Sequence, residues 1–373
     1  MITNIELKNF KCFEDETFFF TPLNVWTGLN GMGKSSAIQS LLLLRQNFEQ
    51  GLLQDRSGLS LNGELVKIGN AKDLLFQYFG DNRIAINITA DNNKTVGWVW
   101  DAGTNSDNLP LLELNGDRDS LTAVFNSSLF RSDFHYLNAE RLGPRVYFET
   151  STYNVINRKK LGLKGEFTAN YLAEFKNTPI PIPQLKHPSS TGLTLSEQVN
   201  AWMGEIRPGT RINITNNLDM SLIGLNYQFL GGIDAGNNFR PTNVGFGLSF
   251  LLPIIVALLS STPGSLLILE NPEAHLHPRG QAEIGKLMAI AAANGIQIIV
   301  ETHSDHILNG IRVAVRKQFI QPEQTTLLFF HGEVIDDQFK HYILNPKIDK
   351  NGRIDQWPDG FFDEWDRQLN ELL

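Results

Sequence analysis

The stretch "GLNGMGKSS", Gly28–Ser36, decides how the rest of the chain is read. From Gly28 to Ser35 it satisfies G-x-x-x-x-G-K-[ST], and it joins a strand pattern, "ETFFFTPLNVWTG", to a helix pattern, "SSAIQSLLLLRQNFEQGLL". In that setting Gly28, Gly31 and Gly33 let successive backbone N–H groups turn toward a phosphate. The helix that starts near Lys34 adds the positive end of its dipole. Lys34 is placed to reach the β- and γ-phosphate oxygens of ATP, and the Ser35 hydroxyl to ligate Mg2+. Asn30, Met32 and Ser36 complete the expected nucleotide-binding loop.

Binding phosphate is not hydrolysing it. Hydrolysis also needs a carboxylate for the metal's water shell and a group that orients the attacking water, usually at the carboxyl end of a neighbouring strand. "LLILENPEAHLHP", residues 266–278, supplies such a strand end at Glu270. "IQIIVETHS", residues 296–304, reads as the strand beside it. That strand ends in His303, which either senses a γ-phosphate or is simply satisfied at the start of a loop.

Composition sets the outer bounds. At 373 residues, 42% of them apolar, the chain has material for two lobes or for one domain with a large insertion. The net charge of −8, without a long Lys or Arg run, leaves DNA binding possible only through a local patch. A lone cysteine, Cys12, excludes an internal disulfide and fits a reducing, cytoplasmic setting. "MITNIELKNFKCF" alternates as a strand does and lacks the form of a signal peptide. The apolar run "VGFGLSFLLPIIVALLSS" contains Pro253 and leads directly into a strand, which favours a buried helix over a membrane span.

Along the chain, residues 1–50 and 241–373 carry the α/β pattern and are expected to form two halves of one core. Residues 51–150 show short alternating stretches such as "RIAINITAD" and "KTVGWVWD", expected to make a β-rich lobe. Residues 151–240 read as a mixed insertion, with helical patterns in "GEFTANYLAEF" and "LTLSEQVNAWMGEI" around the extended "NTPIPIPQLKHP".

Taken together these motifs resemble ABC-type ATPase heads of the SMC, RecF and OLD (overcoming-lysogenization-defect) branch. "LKNFKCFEDETFFFTPLNVWTGLNGMGKSS" is similar to the opening of that branch, "ENPEAHLHP" to its Walker B and D-loop, and "ETHSDHIL" to its switch-histidine segment. "YLNAERLGPR" and the closing "WPDGFFDEWDRQLNELL" resemble a subgroup of small bacterial ATPases with an uncharacterised C-terminal domain. The resemblance implies an α/β fold: an ABC-ATPase head, a P-loop NTPase, with a β-rich N-terminal lobe, an α/β lobe and an inserted helical/β region.

It also implies a homodimer, or a higher homo-oligomer, in which two heads sandwich two nucleotides and each site is completed by the partner's signature segment. "NVGFGLS", residues 243–249, stands where that segment is expected. Gly245 and Gly247 then either face the other subunit's nucleotide or form a tight turn before a buried helix. Aligned with the family's D-E-P-E-x-x-L-H-P, Glu270 takes the Asp position beside magnesium, and Asn271 takes that of the catalytic Glu. Asn271 can orient water but has no basicity to accept its proton. Glu273 is placed to take that role or to face the dimer partner.

His275 and His277 read as D-loop contacts rather than a metal pair. Arg141 and Arg145 either reach a phosphate or the partner subunit, or stand exposed in a polar loop. Lys11 and Phe13 border the adenine, or Phe13 packs in the core.

The expected function is an ATP-binding, slowly hydrolysing switch in bacterial anti-phage defence or DNA maintenance. About seventy residues follow His303 and hold no acidic triad, since Asp336–Asp337 alone is too little for a nuclease. Effector chemistry is therefore expected from a separate nuclease or toxin. A non-hydrolysing scaffold and a RecF-like DNA-binding head are the rival readings.

Overall fold

In the five-stranded antiparallel sheet the strands lie in the order Phe13–Phe19, Ile2–Phe10, Arg83–Ala90, Lys94–Asp101, Leu111–Asn115. Its alternation is strict where it matters: Ile84, Ile86, Ile88, Val96, Trp98 and Trp100 are all fully buried. A one-residue slip would turn this set to solvent, so the pattern fixes the register. The Trp98 and Trp100 rings stack 6.4 Å apart on that face.

The computed structural model describes every residue except 79, 218, 232–235, 336–337 and 373, and the side chains of 365 and 366. Asp336 and Asp337 thus lie outside the described residues. The chain forms two compact units, and the strands Leu23–Gly28 and Thr325–Ile335 are each divided in sequence between them.

The first unit comprises Met1–Thr21, Trp26–Arg131 and Leu328–Asn345. It holds the five-stranded sheet and the helix Lys34–Glu49. That helix is buried on nearly all sides, Leu41–Leu44 entirely so. Its buried Arg45 is satisfied by the Leu129 and Arg131 carbonyls and by Glu49 one turn on, as a charge out of water requires. Thr325–Ile335 returns as an antiparallel hairpin with Gln338–Leu344.

The second unit comprises Pro22–Val25, Ser132–Leu327 and Pro346–Leu373. Three parallel strands run side by side in the order Phe134–Leu137, Leu266–Glu270, Gln297–Glu301. Leu266–Leu269 and Ile298–Val300 are fully buried, the near-continuous apolar reading expected of parallel strands covered on both faces. On the far side of Gln297–Glu301, Ile298 N–H donates to Pro22 O at 2.7 Å, and the Asn24 amide donates to Ile298 O at 3.0 Å. Helices Pro278–Ala293 and Asp305–Arg316 follow the two core strands.

The apolar run forms the helix Phe246–Ser260, buried from Leu251 to Leu259. Among the described residues no helix is long and apolar enough to cross a membrane. A further antiparallel sheet pairs Leu222–Phe229 with Thr210–Asn217, Tyr147–Glu149 and Asn238–Phe239. The helix Leu195–Met203 opens with a capping box from Thr194 and Glu197, the T-x-x-E signature.

Candidate functional site

The loop after Leu23–Gly28 takes a shape that only glycine permits at its hinge. Gly28 has φ 135°, and a Cβ there would lie 2.0 Å from the Phe330 carbonyl oxygen. Gly31 and Gly33 also have positive φ, 80° and 100°, and Gly33 is the N-cap of Lys34–Glu49. The Lys34 ammonium folds back into the loop, donating 2.8 Å hydrogen bonds to the carbonyls of Gly28 and Leu29. It is 3% exposed. Asn30, Gly31 and Ser35 are exposed, and Met32 and Ser36 half-buried. The helix therefore begins at the loop, with the positive end of its dipole and an adjacent cation, the elements an anion site needs.

Beside the loop, Phe13 is buried and meets Phe18 edge-on at 5.3 Å, so it packs in the core. The Lys11 ammonium donates to Gln39 Oε1 at 2.6 Å, and burial pulls its pKa below the ordinary lysine value.

In the second unit Glu270 ends its strand half-buried. The Tyr136 hydroxyl donates to its Oε1 at 2.8 Å and the Ala139 N–H to its Oε2 at 3.0 Å. Burial raises the pKa of Tyr136, and the neighbouring charges of Glu270 and Glu301 raise it further, so the phenol stays a donor. Both donors come from "YLNAERLGPR".

Arg141, from the same segment, is not an exposed loop arginine. It is 3% exposed, and it donates to main-chain carbonyls of Glu270, Asn271, Asn138 and Phe250. Burial pulls its pKa down to about 10, against the opposing charges of Glu273 and Glu270, so it remains a cation at neutral pH. Arg145 is exposed.

Asn271 sits in the left-handed region with φ 44°, its N–H on the Glu301 carbonyl at 2.9 Å. Asparagine is one of the few non-glycine residues that tolerates this conformation, which gives its presence a backbone reason as well as a chemical one. Glu273 uses both carboxylate oxygens: Oε2 accepts from Thr302 Oγ1 and Oε1 from the His303 N–H, each at 2.8 Å. It thereby ties the turn after Glu270 to the Thr302–His303 segment. The His303 residue itself is exposed. Ser304 caps the next helix by accepting from the N–H groups of His306 and Ile307.

The His275–Leu276 segment packs under the start of Phe246–Ser260. Gly247 lies so close that a Cβ would meet His275 O at 2.5 Å. The Phe246 and Phe250 rings lie 5.5 and 4.7 Å from the His275 ring. Gly245 is the helix N-cap and faces open space. His277 caps Pro278–Ala293 by accepting from the Arg279 N–H.

Reading the sequence missed Tyr136, Glu301 and Thr302. Glu301 is buried and lies in register beside Glu270 on the adjacent parallel strand, so the two side chains share a face. A carboxylate two residues before His303, at the end of an apolar strand, was the available signal.

Comparison with known proteins bears on the whole arrangement. Residues 23–309 match a family described as "AAA domain, putative AbiEii toxin, Type IV TA system". Residues 320–372 match a second, described as a protein of unknown function, DUF3696. No curated protein matches the chain. A crystal structure of an Smc head bound to the C-winged helix domain of ScpA aligns over 92% of this chain and 97% of its own. Its TM-score is 0.54 at 15% identity. An Smc head domain with an extended coiled coil, bound to the C-terminal domain of ScpA derived from Pyrococcus furiosus, aligns over 100% and 99%, with a TM-score of 0.51 at 14% identity. Identities this low speak for the fold, an SMC-head ABC-ATPase, and the family match covers most of the sequence. The chain belongs to that AAA-domain family, as an SMC/ABC-type ATPase-like protein with a DUF3696 segment at its C-terminal end.

Proposed function

We propose that this chain is an ATP-binding, slowly hydrolysing switch that dimerises on nucleotide and controls a separate effector protein. The observation that carries the reading is the Gly28–Ser35 loop, with left-handed glycines, a buried ammonium on the loop carbonyls and a 16-residue helix behind it. Such a loop suits the phosphates of a nucleotide.

Mg2+, when bound, would neutralise charge developing on the phosphates; the groups suited to holding it are the Ser35 hydroxyl in the first unit and the Glu270 carboxylate in the second. Glu270 fits that role because Tyr136 and Ala139 orient its carboxylate while leaving each oxygen further acceptor capacity. Asn271 would orient the attacking water without accepting its proton, which is the reason to expect slow turnover. Glu273 would act mainly by holding His303 in place, since both its oxygens already accept hydrogen bonds.

The exposed Gly245 end of Phe246–Ser260 suits contact with a second head. The Smc heads that share this fold are bound to ScpA domains, which supports a protein partner here too. The family description names a putative AbiEii toxin of a Type IV TA system, which suits a toxin-linked role; a nuclease or toxin effector in anti-phage defence or DNA maintenance is the fuller reading we propose.

Asn271 also favours a second reading, a scaffold that binds ATP and is locked by it. Single-turnover hydrolysis with protein in excess separates the two. Slow release of phosphate on the time scale of minutes is expected; tight ATP binding with no release over many hours would select the scaffold.

A further inference from the structure

A guanidinium carries five N–H donors in one rigid plane, and in this chain they reach three separate segments. Nε of Arg141 donates to Phe250 O at 3.2 Å, inside the helix Phe246–Ser260. Nη2 donates to Asn271 O at 2.6 Å, and Nη1 to the Glu270 and Asn138 carbonyls. Among the described residues every hydrogen bond of this side chain ends on a main-chain carbonyl, so it is fixed by backbone geometry and not by an ion pair.

We propose that Arg141 is a positioning residue that couples the start of helix Phe246–Ser260 to the Glu270–Asn271 turn. The inference rests on the ATPase reading for its functional meaning. Because the guanidinium is planar, displacing the Phe250 carbonyl tilts the plane and moves the two nitrogens that hold Glu270 and Asn271. The same helix turn is pinned on its other side. Phe250 lies under the guanidinium, 5.8 Å from ring centroid to Cζ, and its ring also meets His275 of the D-loop. Gly247 lets the helix approach the His275 backbone.

At the far end of this assembly Phe246 is 55% exposed, a large apolar ring at the first residue of a helix whose later turns are buried. A body that presses on Gly245–Phe246 therefore acts through Phe250 and Arg141 on the turn that carries Asn271. That turn responds because Asn271 holds a left-handed conformation, kept by Arg141 on its carbonyl and by Glu301 O on its N–H. Arg141 bridges the two segments with a single side chain.

The test is amide hydrogen exchange on the full chain, read beside steady-state ATP hydrolysis, for Arg141→Lys and Phe246→Ala. Lysine keeps the charge and loses the fork. For Arg141→Lys, exchange should accelerate at least tenfold in peptides covering 246–251 and 270–274 together, with peptides of Lys34–Glu49 unchanged. Its kcat should fall at least tenfold while KM for ATP stays within twofold. For Phe246→Ala, loosening should appear at 270–274 as well as at the helix start, and should add nothing at 270–274 when Arg141 is already lysine.

Loosening confined to one segment, loosening spread through every peptide, or unchanged kcat in Arg141→Lys overturns the proposal. A wild-type chain with no turnover removes the ATPase reading instead, and the exchange pattern alone then decides the coupling.

Discussion

The Tyr136 hydroxyl and the Glu270 carboxylate are joined by a 2.8 Å hydrogen bond between adjacent parallel strands. Hydrogen bonds to ionised groups contribute about 1.5–3 kcal/mol. Tyr136→Phe should therefore leave the fold intact and let Glu270 swing on its Ala139 contact alone. The expected result is a single-turnover rate about tenfold lower, with a higher magnesium requirement. A magnesium titration of that rate checks it; an unchanged titration would mean that Tyr136 only packs.

Lys34 donates to two carbonyls of the Gly28–Ser35 loop, within the phosphate-binding pattern. Lys34→Ala should abolish nucleotide binding and nucleotide-driven dimerisation together. Equilibrium binding and light scattering, each with and without ATP, measure the two. Dimerisation that survives in ATP would show that assembly does not run through the nucleotide.

Asn271→Asp places a carboxylate in the family's usual catalytic position without disturbing the backbone, because aspartate also tolerates the left-handed region at φ 44°. Hydrolysis should rise by about 10²-fold, the scale of general-base assistance. Asn271→Glu should gain rate too, at a cost of about 1 kcal/mol in stability from backbone strain. Phosphate-release kinetics beside thermal melting tests both, and an unchanged rate in each variant would remove Asn271 from the reaction.

Glu273 accepts from the Thr302 hydroxyl and from the His303 N–H. In Glu273→Gln the hydroxyl can rotate to suit an amide, but the main-chain N–H cannot. If the amide nitrogen faces it, about 1–3 kcal/mol is lost locally. Faster amide exchange at 302–304 and slower hydrolysis should appear together. Loss of hydrolysis with unchanged exchange would instead favour direct proton transfer by Glu273.

Asp133 supplies a pH test away from the nucleotide. Burial disfavours its ionised form, but donors from His135, Ser265 and Thr262 outweigh burial and hold its carboxyl well below the usual range. A carboxyl depressed in the folded state adds stability that is complete above its unfolded pKa of about 3.9 and fades as pH falls below it. Asp133→Asn should lower stability at neutral pH and flatten the acid limb of the melting curve below about pH 4. An acid limb as steep as in the wild type would mean that other carboxylates set it.

Much of this was legible in the residues. The Gly28–Ser35 spacing marked the strand, the turn and the helix, and the apolar "LLIL" and "IIV" runs marked the core strands. The pairing of Leu266–Glu270 with Gln297–Glu301 follows the reading of Glu270 and His303 as neighbours. What stayed hidden was long-range. "FHYL", Phe134–Leu137, is too short to declare itself a parallel strand, yet it sits beside Leu266–Glu270 and delivers Tyr136. Arg141 reads as a polar loop residue because its partners are main-chain carbonyls, which leave no trace in composition. Strands Thr210–Asn217 and Leu222–Phe229 were obscured by the Asn- and Gly-rich stretches around them.

The close seat of Gly28 against Phe330 has a further consequence, in the order of synthesis. The phosphate loop leaves the ribosome before the segment that lies against its hinge, which is some 300 residues later in the chain. At translation rates of about 5–20 residues per second, that delay is roughly fifteen seconds to a minute. During it the strand Leu23–Gly28, buried along its whole length in the finished fold, would stand without its later neighbour, a natural point for a chaperone to bind. Nucleotide competence would then signal that synthesis has passed Phe330.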